Sequence, residues 1–171
     1  MNLLPQTYLL GLVGLLTIVA VVVGRQLLRV RRDEARLMQL EQSGAASSRQ
    51  AADLYELGSV QLRKRLYPQA AATLKQALKR LGGEPDEARA LIENALGFSL
   101  AAQNDYETAS KHYRLALKAK KDYPVALNNL AYAQMKLLNT EEAIELYQKT
   151  LSVDPNNDTA KKGLKKLEKR R

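Results

Sequence analysis

The sequence predicts an all-α protein: an N-terminal transmembrane helix, then a right-handed superhelix of three helical hairpins, then a C-terminal capping helix. Three observations predict it. A pattern of apolar and small residues recurs at one fixed offset between residues 90 and 157. Residues 1–24 carry no charged side chain, and nearly every residue from Leu9 to Val23 is apolar. Alanine and leucine are plentiful and phenylalanine occurs once, a composition that suits close helix packing and argues against an all-β fold.

The repeat organises the chain. Leu96-Gly97 recurs as Leu130-Ala131, Ala109 as Ala143, Tyr113 as Tyr147 and Ala116 as Thr150, each pair separated by 34 residues, and Pro155 closes the second copy. This period is the signature of a tetratricopeptide (TPR) array. Small residues such as Gly97, Ala109, Ala131 and Ala143 belong where two helices cross most closely, and larger ones such as Leu96, Tyr113, Leu130 and Tyr147 belong in the layer between hairpins. A looser first copy is carried by Leu54, Leu57-Gly58, Ala70, Leu74 and Ala77. Its Ala70 lies 39 residues before Ala109, so five extra residues fall around Gly82-Gly83-Glu84-Pro85. The three units are thus 51–84, 90–123 and 124–157. Their helices are expected near 51–64 and 68–80, 85–102 and 106–119, and 124–137 and 140–152. Pro68 and Pro124 suit helix starts. Gly82-Gly83 suits a helix end, and Pro85 a first helical position with Asp86 and Glu87 at the positive end of the dipole. Asn104-Asp105 and Asn139 suit tight turns.

Residues 1–30 read as the anchor. Eleven Leu, Ile and Val residues lie between Leu9 and Val23. At membrane-insertion values they favour a bilayer by roughly 3 to 7 kcal/mol. With Leu3, Leu4 and Gln26-Leu27-Leu28, the stretch reaches the roughly 20 helical residues a bilayer needs. A cleaved signal peptide fits poorly, because nothing before the apolar run is basic and no small-x-small site follows it. Arg25, Arg29, Arg31 and Arg32 crowd the C-terminal flank, so the positive-inside rule places the N-terminus in the lumen and the repeats on the cytoplasmic or stromal side. Residues 31–50 form the juxtamembrane segment: a helical continuation that begins at Arg29 and runs to Gln42, then a linker, Ser43-Gly44-Ala45-Ala46-Ser47-Ser48. Residues 158–171 form the last helix, capped by Asn156-Asn157-Asp158. Ala160, Leu164 and Leu167 cover the open end of the array, while Lys161, Lys162, Lys165, Lys166, Lys169, Arg170 and Arg171 face water.

An uncharged N-terminus, an apolar span ending in Val-Gly-Arg25-Gln-Leu-Leu-Arg29-Val-Arg31-Arg32, a short polar linker and three TPR units together resemble the small thylakoid TPR protein of cyanobacteria and plastids. The resemblance covers nearly the whole chain. It implies a single-pass thylakoid membrane protein that takes part in assembling or stabilising photosystem I, with photosystem I subunits or assembly factors as partners. The alternative is an anchored TPR receptor for precursor proteins or chaperones. The two share every architectural feature.

In a TPR array the first helix of each pair lines a concave groove, and residues one turn apart on it point inward. Those positions are Tyr55 and Ser59, Asn94 and Phe98, and Asn128 and Tyr132, with Asn129 beside them. An amide both donates and accepts, so asparagine suits a bound peptide backbone. The aromatics fit either contact with a partner or packing between repeats. The basic clamp that captures chaperone carboxylates is missing, since its places hold Tyr55, Ser59, Ala95, Val125 and Asn129. Chaperone capture through that clamp is therefore not expected.

Enzymatic work is not expected either. His112 is the sole histidine and is read as a surface residue, the acids are read as lying at helix starts or on outer faces, and cysteine is absent. No metal-ligand spacing, phosphate loop or nucleophile elbow occurs, so no cofactor or metal is called for. The net charge of +9 sits on the anchor flank and the last helix without reading aromatics beside it, which disfavours nucleic acid.

Overall fold

The computed structural model describes residues 4–44 and 50–169, with side chains from Tyr8 onward. Among the described residues there are eight α-helices and no strand: α1 (Leu4–Gln42), α2 (Ala51–Arg63), α3 (Tyr67–Arg80), α4 (Asp86–Ala101), α5 (Tyr106–Ala119), α6 (Pro124–Lys136), α7 (Thr140–Val153) and α8 (Asp158–Glu168). The chain divides into two compact units, residues 1–39 and 40–171.

In the first unit, α1 runs without a break, so the apolar stretch and the arginine-rich segment after it are one helix. The part from Tyr8 is long and apolar enough to cross a membrane. From Leu9 to Val30 its leucines, isoleucine and valines are exposed on every face, a pattern that lipid or protein has to cover. The Thr17 hydroxyl donates to the Val13 carbonyl, 2.8 Å away, and so needs no partner outside the helix. Of the expected linker, residues 45–49 lie outside the described residues, as do Arg170 and Arg171 at the other end.

In the second unit, α2–α3, α4–α5 and α6–α7 pack as hairpins, and each hairpin packs on the next through α3–α4 and α5–α6. The first helices also meet one another in sequence: α2 with α4, α4 with α6, α6 with α8. Helix α8 therefore stands where the first helix of a fourth hairpin would, and Ala160 and Leu167 seal the end by burial against Ala131, Met135, Ala143 and Tyr147. The described lysines of α8 are all exposed. The residues that recur in sequence are the ones that disappear from solvent: Leu54, Leu74, Leu96, Leu130, Ala109, Ala143, Tyr113 and Tyr147 are at most 3% exposed.

Within two hairpins the crossing is set by a glycine. A β-carbon on Gly97 would lie 2.7 Å from the Tyr113 ring and 3.2 Å from the Ala109 carbonyl. One on Gly58 would lie 2.7 Å from Leu74. At α8, Gly163 receives the Tyr147 ring in the same way.

The three hairpin turns share one geometry, and asparagines mark two of them in the sequence. Arg65, Asn104 and Leu138 have φ of 60°, 66° and 65°. In each turn the next amide reaches back five residues: Leu66 to Gln61, Asp105 to Leu100 and Asn139 to Gln134, at 2.8, 3.0 and 2.9 Å. The left-handed residue itself donates to the carbonyl three residues back, to Leu62, Ala101 and Met135. This is the Schellman arrangement, usually built on glycine. In the third hairpin the left-handed residue is Leu138, and Asn139 is the N-cap of α7. Asn139 instead donates its side-chain amide to Gln134 Oε1 at 2.7 Å. Conversely, Gly82-Gly83 does not end α3 through a left-handed turn. The helix stops at Arg80, Leu81 is extended, and Gly44 is the described glycine with positive φ. Pro85 is the N-cap of α4 and not its first residue.

A second repeated contact ties hairpin to hairpin. Asn94 Nδ2 donates to the Tyr123 hydroxyl at 3.4 Å. Asn128, 34 positions on, donates to Asn157 Oδ1 at 2.8 Å. That Asn157 oxygen also accepts from the Ala160 amide at 3.0 Å, capping α8. Asn128 thus holds the cap of the last helix.

Two stability predictions follow from these contacts. Leu138 is 83% exposed and holds a left-handed backbone that costs a bulky residue about 1–2 kcal/mol. Leu138→Asn, which installs the residue found in the equivalent turn at Asn104, should raise the thermal midpoint by the equivalent of about 1 kcal/mol. Asn128→Ala should lower stability by about 0.5–1.5 kcal/mol, the net worth of the one hydrogen bond it gives Asn157. It should also speed amide exchange in α8 ahead of the other helices.

Candidate functional site

The first helices stand side by side, so residues one turn apart on each fall into a strip running across α2, α4 and α6. Asn129 Nδ2 donates to Asn94 Oδ1 at 2.9 Å, and Asn94 donates on to Tyr123. Burial raises the Tyr123 hydroxyl above its ordinary pKa; the neighbouring Tyr55 adds to the rise and the Asn94 bond opposes it. Asn129, Asn94 and Tyr123 are therefore one hydrogen-bonded chain between α4 and α6, and Tyr55 of α2 lies close enough to act on Tyr123 electrostatically. All four are half-buried. An amide offers two donor hydrogens and two acceptor lone pairs, so these bonds use only part of its capacity.

Two clefts flank this chain. One, of about 380 Å³, lies between the start of α2 and the α3–α4 connection. It is mostly apolar and is lined by Tyr55, Leu81, Glu84, Leu91 and Ile92 among others. The other, of about 240 Å³, lies between α4, α5 and α6, lined by Phe98, Tyr106, Tyr113, Asn129 and Tyr132 with alanines between them. Phe98 and Tyr132 are 45% and 43% exposed, although large apolar groups of the repeat core are buried.

The expected groove residues are thus partly brought together. Asn94 and Asn129 are bonded to each other, Phe98 and Tyr132 share one cleft, and Tyr55 lines the other. Ser59 is half-buried on α2, touching neither cleft, and its carbonyl accepts from Arg63 at 3.4 Å. Asn128 is 8% exposed and is engaged with Asn157. Its Oδ1 is buried without a hydrogen-bond partner among the described residues. The arginines Arg25, Arg29, Arg31 and Arg32 all lie on α1, directly after its apolar stretch.

Three residues of the site carried no sequence expectation. Tyr106 packs edge-on against Tyr132, with centroids 6.3 Å apart and planes at 68°. Lys136 places its ammonium 5.6 Å from the Tyr106 ring and 5.7 Å from the Tyr132 ring. Tyr123 joins the polar chain from the start of α6. The i, i+4 spacing of Tyr132 and Lys136 is visible in the sequence; Tyr106 is brought to them only by the stacking of hairpins.

The histidine is a correction. His112 is not a free surface group: its Nδ1 lies 2.7 Å from Glu93 Oε2, and the two side chains are 19% and 6% exposed. Glu93 itself departs from the expectation that acids occupy helix starts and outer faces. It falls one turn from Ala90 and Gly97, on the face of α4 that meets α5, while His112 sits among Ala109, Tyr113 and Ala116 on the matching face of α5. A carboxylate buried there requires a partner, and the histidine supplies it. Among the described residues no group of three or more His, Asp or Glu side chains is arranged to hold a metal ion.

Comparison with known proteins agrees with this architecture. The tetratricopeptide-repeat models match residues 124–157 and 55–96. A solved structure of MamA has the same fold, with a TM-score of 0.72 at 20% identity, covering 86% of this chain and 80% of that one. The chain is 33% identical over 155 residues, 91% of its length, to the chloroplastic tetratricopeptide repeat domain-containing protein PYG7 of Arabidopsis thaliana, and spans about half (51%) of that protein. It is 38% identical over 117 residues to ycf37 of Cyanophora paradoxa, a match that covers 68% of this chain and 67% of the other. The repeated hairpins, the solenoid fold and this similarity together assign the chain to the ycf37 family of tetratricopeptide-repeat proteins.

Proposed function

We propose that the chain is a membrane-anchored interaction scaffold of the thylakoid. The apolar part of α1 spans the bilayer once with the N-terminus in the lumen. The arginines from Arg25 to Arg32 hold the repeats on the stromal or cytoplasmic side. The strip across α2, α4 and α6 engages subunits or assembly factors of photosystem I and thereby assists its assembly or stability. The observation that carries this reading is the joining, in one chain similar to a chloroplastic protein, of a helix able to cross a membrane and a side-by-side set of first helices bearing exposed aromatics and part-used amides. Confinement to a membrane surface raises the effective concentration of a weakly bound partner, so a modest groove suffices. A receptor for chaperone tails fits less well, because the positions of the basic clamp hold Tyr55, Ser59, Ala95, Val125 and Asn129.

Deletion of the gene in a photosynthetic host should lower photosystem I per chlorophyll, most strongly under stress. Re-expression of the native chain should restore it, and re-expression of a Phe98→Ala, Tyr132→Ala chain should not. Unchanged photosystem I levels in the deletion strain would remove the assembly role.

A further inference from the structure

The cleft between α4, α5 and α6 has a composition unlike the remainder of the strip. Its body is aromatic: Phe98, the edge-to-face pair Tyr106 and Tyr132, and Tyr113 line it. Asn129 supplies a polar edge. Its volume, about 240 Å³, is below that of a pocket for a drug-sized molecule, roughly 300–1,000 Å³, and suits one large apolar side chain. At its rim stands a cation. The Lys136 ammonium is held near two tyrosine rings at 5.6 and 5.7 Å, so its position is defined by cation–π attraction. The side chain is exposed, and no carboxylate among the described residues pairs with it.

We propose that this cleft recognises a two-part determinant on a partner polypeptide: one leucine-, methionine- or phenylalanine-sized side chain in the aromatic cleft, and an acidic residue one or two positions away on Lys136. Extended residues advance about 3.3 Å each. An acid next to the inserted residue, or one beyond it, therefore reaches an ammonium lying within 5.7 Å of the cleft wall. Asn129 lines the same cleft, seven residues before Lys136 on α6, and meets the backbone of the same segment. The rings give affinity through area, and the charge gives selectivity, because a basic residue at that place would meet Lys136 with like charge. This inference rests on the groove being a partner-binding surface, as proposed above.

The test uses the full chain in mild detergent and a bead-bound library of short random peptides with amidated C-termini, so that any acidic preference comes from side chains. The native chain should enrich Leu, Met or Phe followed or preceded within two positions by Asp or Glu. For a selected peptide, fluorescence polarisation should show about fivefold weaker binding to Lys136→Gln, the effect of one partly exposed ion pair. Lys136→Glu should convert the acidic preference to a basic one, and Tyr132→Ala should erase the apolar preference. Enrichment of apolar residues with no acidic neighbour, or an acidic preference that survives Lys136→Glu, would overturn the inference and leave the groove reading standing. Failure of the native chain to enrich any peptide over the Phe98→Ala, Tyr132→Ala chain would overturn both.

Discussion

The close crossing of paired helices is the constraint on which the remainder depends. Gly97 lets the Tyr113 ring and the Ala109 carbonyl approach to distances a β-carbon would not permit, and Gly58 does the same for Leu74. With the helices this near, each hairpin is thin enough for the next to stack on it, and the first helices come into contact in turn. Only then do residues 34 or more positions apart in sequence, such as Asn94 and Asn129, come within hydrogen-bond distance. The groove is thus a consequence of small residues at crossings and not of any residue that faces it. The hairpin turns support the same geometry. Each closes through a left-handed residue and two backbone bonds, which leaves no slack for the angle between the helices to drift.

Buried polar groups add specificity to this packing. Burial alone would tolerate sliding of one alanine-rich face over another, because alanines present few features to lock on. The Glu93–His112 pair across α4 and α5 has one satisfying register, as does the Asn128–Asn157 bond that ties α6 to the cap of α8. A shift of one turn would leave a buried carboxylate or amide unmatched, a loss of roughly 1–3 kcal/mol or more for a charged group. These groups hold the first helices in register, so that Phe98 and Tyr132 line one cleft. The exposed ion pair between Arg114 and Glu142, at 2.6 Å, adds little beyond this.

Much of the solenoid was legible because its signal is periodic. The 34-residue offset located both well-formed copies, and the helix bounds follow from Pro68, Pro124 and the asparagine-marked turns to within one residue. The left-handed turns at Arg65 and Leu138 were not legible, since neither residue type announces that conformation; only Asn104 does. The glycine pair Gly82-Gly83 does follow the end of α3, yet without a left-handed turn, because a glycine permits that conformation without requiring it. At the candidate site, periodicity along one helix points to Phe98, Asn129 and Tyr132, which lie on α4 and α6. It had no information about Tyr106 and Tyr123, which reach the strip from a neighbouring turn or helix start. Nor did it separate Asn128 from Asn129: the two differ by one position, yet one is engaged in capping α8 and the other faces Asn94. A lone histidine between lysine and tyrosine looked like surface because its buried partner, Glu93, lies 19 residues away.

The most direct measurement is thermal unfolding, followed by circular dichroism, of the full chain carrying Gly97→Val and, separately, Gly83→Val. Valine is the better helix former, so Gly97→Val would be neutral or stabilising if the crossing had room for it. A β-carbon at Gly83 meets nothing within 4 Å, whereas at Gly97 it meets Tyr113 at 2.7 Å. Overpacking of this kind costs about 1–3 kcal/mol, which for a chain of this size lowers the midpoint by roughly 2–4 °C per kcal/mol. The close crossing predicts a fall of several degrees for Gly97→Val, with Gly83→Val nearly unchanged. Equal midpoints for the two variants would contradict it.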